Sequence, residues 1–150
     1  MGVTLAQLLT PWSDSFLAAS VCRLLTAVLS REVGQPIPAE HAAELASMYF
    51  VVAMSWGVGG HLGDAHRAGL SKALLPDLCK ICKQLKGLLP STTIYDIMPE
   101  ADTLKFKNFD TVIPKYALEG GVRASNVFVP TARTAATSFI LRTLVEVSLH

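Results

Sequence analysis

The sequence predicts an α+β chain that is predominantly helical: a helical bundle, then a small β hairpin or meander, then a C-terminal helix. Three observations carry this. Apolar residues recur every three or four positions over Ser13–Arg31, Pro38–Trp56, Pro76–Leu89 and Thr134–Val147, the period of a helix with one buried face. Around Thr92–Tyr116 that period gives way to β-branched and aromatic residues, which fit a pleated surface. Met48 to Met54 is an unbroken apolar run leading to Trp56, as in an element buried on most sides.

In order along the chain, Leu5, Leu8 and Leu9 would share one face of a helix end that Pro11 stops. Ser13 or Asp14 can cap the next helix by accepting from its free amides. Its stripe is Leu17, Val21, Leu24, Leu25 and Val28, and Gly34 follows as a terminator. Pro38 suits the first position of the third helix, where its missing N–H costs nothing. That helix carries Ala42, Leu45, Ala46 and Tyr49 on one face and turns apolar all round towards Trp56; Gly57, Gly59 and Gly60 then end it. His61–Leu70 is a connector or short helix. Pro76 opens another, with Leu78, Ile81, Cys82, Leu85 and Leu89 inward and Lys80, Lys83 and Lys86 on a solvated face. Thr92–Ile97 and Thr103–Phe106 read as strands joined by a turn at Met98–Asp102, with Thr111–Tyr116 a third, edge-like candidate because of Pro114. Glu119–Gly121 is a joint, Val127–Thr131 is extended, and the last helix clusters Phe139, Ile140, Leu144 and Val145. The resulting divisions are 1–90, 91–118 and 119–150.

Composition narrows the function. Half of the 150 residues are hydrophobic (51%) and 17% are charged, against about 25% charged in an ordinary soluble domain. The surplus apolar surface points to a partner surface outside this stretch. A membrane span is disfavoured, because the longest charge-free apolar stretch, Leu45–Gly60, ends in glycines and falls short of the ~20 residues needed. The N-terminus lacks a basic region and a clear cleavage site, so no secretory signal is read. Net charge of +1 gives no field to steer nucleic acid. Three cysteines, an odd number, argue against a disulfide framework and for a reducing setting.

Several groupings resemble chemical sites. Cys79-Lys80-Ile81-Cys82 is a C-x-x-C, but no strand precedes it, and a zinc site would need two more ligands from Cys22, His61 or His66. His61, Asp64 and His66 near Ser71 lack a nucleophile elbow and an oxyanion loop. Gly57–Gly60 follows a helix where a phosphate loop would follow a strand. Arg67 reads first as a structural salt bridge. Val129, Pro130 and Thr131 stand as a binding candidate or a plain linker.

The phrase from Tyr49 to Arg67, YFVVAMSWGVGGHLGDAHR, resembles one found in dynein heavy chains. There it is a core helix of the small helical lid that closes the second AAA+ module. Later pieces are similar in the same order: Thr93-Ile94-Tyr95-Asp96, Phe106 and Phe109 where that family often has tryptophans, Ile113-Pro114, Val129–Thr134, and Ser138–Leu144 as the lead-in helix of the third module. The resemblance covers residues 45–147; the first 44 fit in general character as lid helices. Arg133 stands where the family usually has Asp, Ala136 near where it often has Arg, and the tryptophans are absent.

This resemblance implies an AAA+ lid-type bundle that couples adjacent modules in an ATP-driven, minus-end-directed microtubule motor. It implies that Val129, Pro130 and Thr131 line the adenine pocket of the third module, and that Arg67 could reach nucleotide from the lid of the second. There is no G-x-x-x-x-G-K-[ST] loop and no strand ending in Asp-Glu, so this stretch alone is expected to hydrolyse no ATP and to hold no cofactor; ATP and Mg²⁺ would belong to the parent motor. Implied partners are the rest of the ring, microtubules indirectly, and intermediate and light chains, with no nucleic acid or membrane. The implied location is cytoplasm and cytoskeleton, and the W-G-V-G-G phrase leans to an axoneme of a cilium. The alternative is a freestanding helical adaptor; a third reading is a small zinc or redox protein on Cys79 and Cys82.

Overall fold

The computed structural model describes residues 13–31, 37–88, 92–113 and 129–148. The expected helix over residues 1–10, Gly34, the segment 119–121 and Pro114–Tyr116 lie outside them. Helix α1 spans Asp14–Ser30 and starts where Ser13 accepts from the Phe16 amide. Helix α2 spans Ala39–Gly59, and α3 spans Asp64–Ile81. A 3₁₀ turn at Lys83–Gly87 leads towards strands β1, Ile97–Glu100, and β2, Lys105–Asn108, then a 3₁₀ turn at Phe109–Val112 and helix α4, Ala132–Ser148. The strands form one antiparallel pair with Ile97 opposite Asn108 and Glu100 opposite Lys105.

Helix α2 is the axis. Ten of its residues are buried, from Leu45 to Gly59, including Met48, Val51, Val52 and Ala53. By length and composition it could cross a membrane, yet its apolar surface is spent on neighbours: α1 on one side, α3 and β1 on others. The α4 stripe Ala136, Ile140 and Thr143 is buried as well, and Phe139 packs on Phe109 with ring centroids 5.8 Å apart.

Four sequence expectations are corrected. Pro38 is the residue before α2, not its first. Gly57 does not end α2 but lies inside it; the helix ends within the glycine cluster, at Gly59, and Gly60 follows in ordinary right-handed geometry. Gly57 and Gly59 are needed for closeness: a Cβ on Gly57 would sit 2.7 to 2.9 Å from Val21 side-chain and backbone atoms of α1, and one on Gly59 would fall on the Tyr95 hydroxyl. Pro76 opens no helix but sits within α3. It is tolerated because it and Lys72, four residues earlier, both face solvent, where water can satisfy the freed carbonyl. α3 ends at Ile81 and the chain turns extended at Cys82, so one helical stripe does not run through; Ile81 faces out, 53% exposed, while Leu78, Cys82 and Leu85 stay inside.

The β region is displaced too. Thr92–Asp96 is a turn rather than a strand, because the Asp96 carboxylate accepts from both the Thr93 amide and hydroxyl at 2.7 Å. That local satisfaction outweighs β-propensity. The hairpin therefore starts at Ile97 and turns at Ala101–Leu104, where Leu104 takes a positive φ of 51°. The third strand candidate begins as a 3₁₀ turn. Val145, expected inward on α4, is 55% exposed.

Gly57→Ala is expected to destabilise the chain by roughly 1–3 kcal/mol, since α1 backbone must move. Gly69→Ala, on α3 with open space around it, is expected to stabilise by about 0.4–1 kcal/mol. Urea denaturation of the two variants checks the contrast; equal effects would show that α1 does not need the close approach.

Candidate functional site

The polar centre of the bundle is the junction where α2 ends and α3 begins. The last carbonyls of a helix have no partner within it. No left-handed glycine closes α2; the Leu62 amide donates to the Gly59 carbonyl at 3.1 Å, and a side chain completes the closure. Arg67, one turn into α3, donates from Nη2 to the Gly60 carbonyl at 2.8 Å and from Nε to the Gly59 carbonyl at 3.3 Å. Its Nη1 lies 3.7 Å from Asp64, and its side chain is only 15% exposed. The guanidinium sits 5.1 Å from the Trp56 ring centroid and 5.6 Å from that of Tyr95. Those rings meet edge to face at 81°. A cation at a helix C-terminus and over aromatic faces is favoured twice.

Tyr95 closes the other side. It is 5% exposed, and its hydroxyl makes no hydrogen bond to any described residue. Burial pushes its phenol up to about 12, with Arg67 opposing. His61 beside them is held below the usual imidazole range by burial, helped by Arg67 and opposed by a backbone hydrogen bond at Gly57. Ser71 is buried and accepts from the Ile94 amide at 3.1 Å, tying the turn to α3.

Two cavities flank this junction. One, about 490 Å³, lies between α1, the end of α2 and α4, with Phe16, Arg23, Trp56, Arg67, Ile140 and Leu141 on its walls. The other, about 300 Å³, is bounded by Trp56, Asp64, Arg67, Tyr95, Asp96 and Arg133. Arg67 lines both, whereas Val129, Pro130 and Thr131 line neither. Val129 is 56% exposed. Thr131 caps α4 reciprocally: its hydroxyl accepts from the Thr134 amide at 3.2 Å and its amide donates to the Thr134 hydroxyl at 2.8 Å. The structure thus does not bring Arg67 and Val129–Thr131 into one pocket. Cys79 is half-buried and Cys82 fully buried, its thiol donating to Gln84. Among the described residues no three His, Cys, Asp or Glu side chains cluster as metal ligands would.

The family model of the dynein heavy chain AAA lid domain matches residues 5–111. The chain belongs to the dynein heavy chain AAA lid family. Similar proteins include axonemal heavy chain 11 of Sus scrofa, 29% identical over 92% of this chain. The flagellar outer-arm alpha chain of Chlamydomonas reinhardtii is 32% identical over 66%, and human axonemal heavy chain 9 is 25% identical over 89%. The chain spans only 2% to 3% of the length of these relatives. The lid match takes in α1, α2, α3 and the hairpin, with the Arg67 junction at its centre.

Sequence reasoning reached Arg67 but gave it one ion pair; the carbonyls and rings were missed. An Arg one turn after a helix start, with Trp eleven residues before it, was the available signal. Arg31 and Asp64 as anchors for α4 were also missed. Arg133, noted above as a departure from the family pattern, pairs with Asp64.

Arg67→Lys keeps the charge but loses the planar fork that spans the two carbonyls between the rings, so a loss of about 1–3 kcal/mol in denaturant stability is expected. Tyr95 gives a pH signature. Its folded-state value is raised above the ~10 of an unfolded chain, so its contribution is intact below pH 10 and is lost as pH rises towards 12. Tyr95→Phe is expected to leave stability at pH 7 unchanged or higher, since an unpaired hydroxyl is removed. It should also flatten the decline between pH 10 and 12. An equally steep decline in the variant would mean that Tyr95 does not titrate there.

Proposed function

We propose that this lid is a non-catalytic coupling element of a dynein heavy chain motor ring. It would stand between two AAA+ modules of an ATP-driven microtubule motor, in the cytoskeleton of a cilium or flagellum. The observation that carries the reading is that the lid helices and the helix beyond them, α4, form one packed body. A rigid unit spanning a module boundary passes displacement from one nucleotide site to the next. ATP and Mg²⁺ would bind in the parent ring, with intermediate and light chains as more distant partners. Val129, Pro130 and Thr131 are proposed as an edge of the following module's adenine pocket; Val129 and Thr131 are exposed and Pro130 partly so. Arg67 belongs to the lid of the preceding module, where its bonds to the Gly59 and Gly60 carbonyls support a structural role.

The test is a chimera. Residues 5–148 replace the corresponding lid of the Chlamydomonas outer-arm alpha chain. Assembled rings should keep microtubule-stimulated ATP turnover within about tenfold of the parent, the scale of one coupling energy. Rings that assemble yet show no microtubule stimulation would overturn the reading.

A further inference from the structure

We propose that α4, although it lies beyond the residues the lid family model matches, is clamped to the lid by two arginines, and that Arg31 is the positioning residue that fixes its far end. The family match stops at residue 111, and α4 begins at Ala132. Apolar packing runs along its length: Ile140 is buried, and Phe139 and Leu144 pack against the core beside Ala132, Ala135 and Ala136. The polar contacts sit at the two ends.

At the start of α4, Arg133 pairs with Asp64 at the start of α3. Both side chains are more than half exposed, so this hook is weak. The far end is built differently. Arg31, directly after α1, donates from Nη1 to the Thr143 hydroxyl at 3.0 Å. Its Nε lies 3.3 Å from Glu146, and its guanidinium is 5.4 Å from the Phe139 ring centroid. Thr143 is completely buried, and its hydroxyl donates in turn to the Phe139 carbonyl at 2.9 Å. One guanidinium thus contacts three residues on successive turns of α4, and its acceptor has no access to water. Moving α4 along or away from α1 would break the charge-assisted bond from Arg31 and leave the Thr143 hydroxyl only its bond within α4.

The clamp deepens the coupling reading and relies on it only for its consequence in the ring. Its test uses this 150-residue chain, so a failed clamp leaves the chimera result standing, and a failed chimera leaves the clamp standing. Arg31→Met keeps an apolar stem over Phe139 and removes the donors. Hydrogen exchange of the Ile140–Val147 amides is expected to quicken about tenfold, the weight of one bond to a charged group. The Met48–Ala53 amides of α2 should not change. Thr143→Val should quicken the same amides less, and the double variant should be no faster than Arg31→Met, because both remove one contact. Should Arg31→Met not fold, Arg31→Lys, which keeps the charge facing Glu146, is expected to quicken only the α4 amides, by less. No change in α4 would overturn the clamp, as would a uniform quickening of all helices or fully additive effects.

Discussion

A helix apolar on every side must end somewhere, and its end is the problem this fold is built to solve. Burying α2 hides its last carbonyls from water along with its side chains. An unpaired buried carbonyl costs about as much as a whole hydrogen bond contributes. Arg67 is suited to the task because a guanidinium offers donors in a planar fork and keeps its charge when buried. Reaching the carbonyls places it between Trp56 and Tyr95, so the group that closes α2 also joins α3 to the turn before β1. The two cavities, the unpartnered Tyr95 hydroxyl and the orientation of α3 all follow from that one placement.

The same burial explains the glycines. For α1 to cover α2 near its end, the two backbones must approach to where a methyl group cannot fit. Gly57 and Gly59 therefore act by size rather than by backbone freedom. Helix propensity is given up at both positions, about 1 kcal/mol each against alanine, and recovered as contact between Val21, Tyr95 and the α2 surface. A glycine in a buried helix is in this respect a docking groove for its neighbour.

The bundle, its helical stripes and the presence of a β hairpin were legible in the sequence because each rests on a local period. Ser13 as a cap, the α1 stripe and the central burial of Met48–Trp56 all came from spacing alone. What was not legible depends on contacts across the chain. Glycines that admit a neighbour look the same in sequence as glycines that end a helix. Pro76 looked like a helix start because nothing local said that its solvent-facing position would excuse it. The Asp96 carboxylate turned a β-rich stretch into a turn by satisfying two groups of one residue, a preference that propensity does not weigh. In the candidate site, Arg67 was visible as a charge near a helix start, while its role depended on carbonyls that only the folded α2 exposes to it.

The packed unit runs on past the residue at which the lid family model ends. Similarity to the lid family reaches residue 111, but the described core runs on through Ala136, Ile140 and Thr143. Much of α4 is half-exposed, Ala132 and Ala135 among it. A polar hook on such a face can keep two elements in register while its surroundings vary. This is why Arg31 could be overlooked: it lies outside every apolar stripe, yet it faces the one polar side chain of α4 that has no access to water. α4 is held firmly toward its far end, where Arg31 bonds a buried hydroxyl, and more loosely at its start, where Arg133 meets Asp64 in the open.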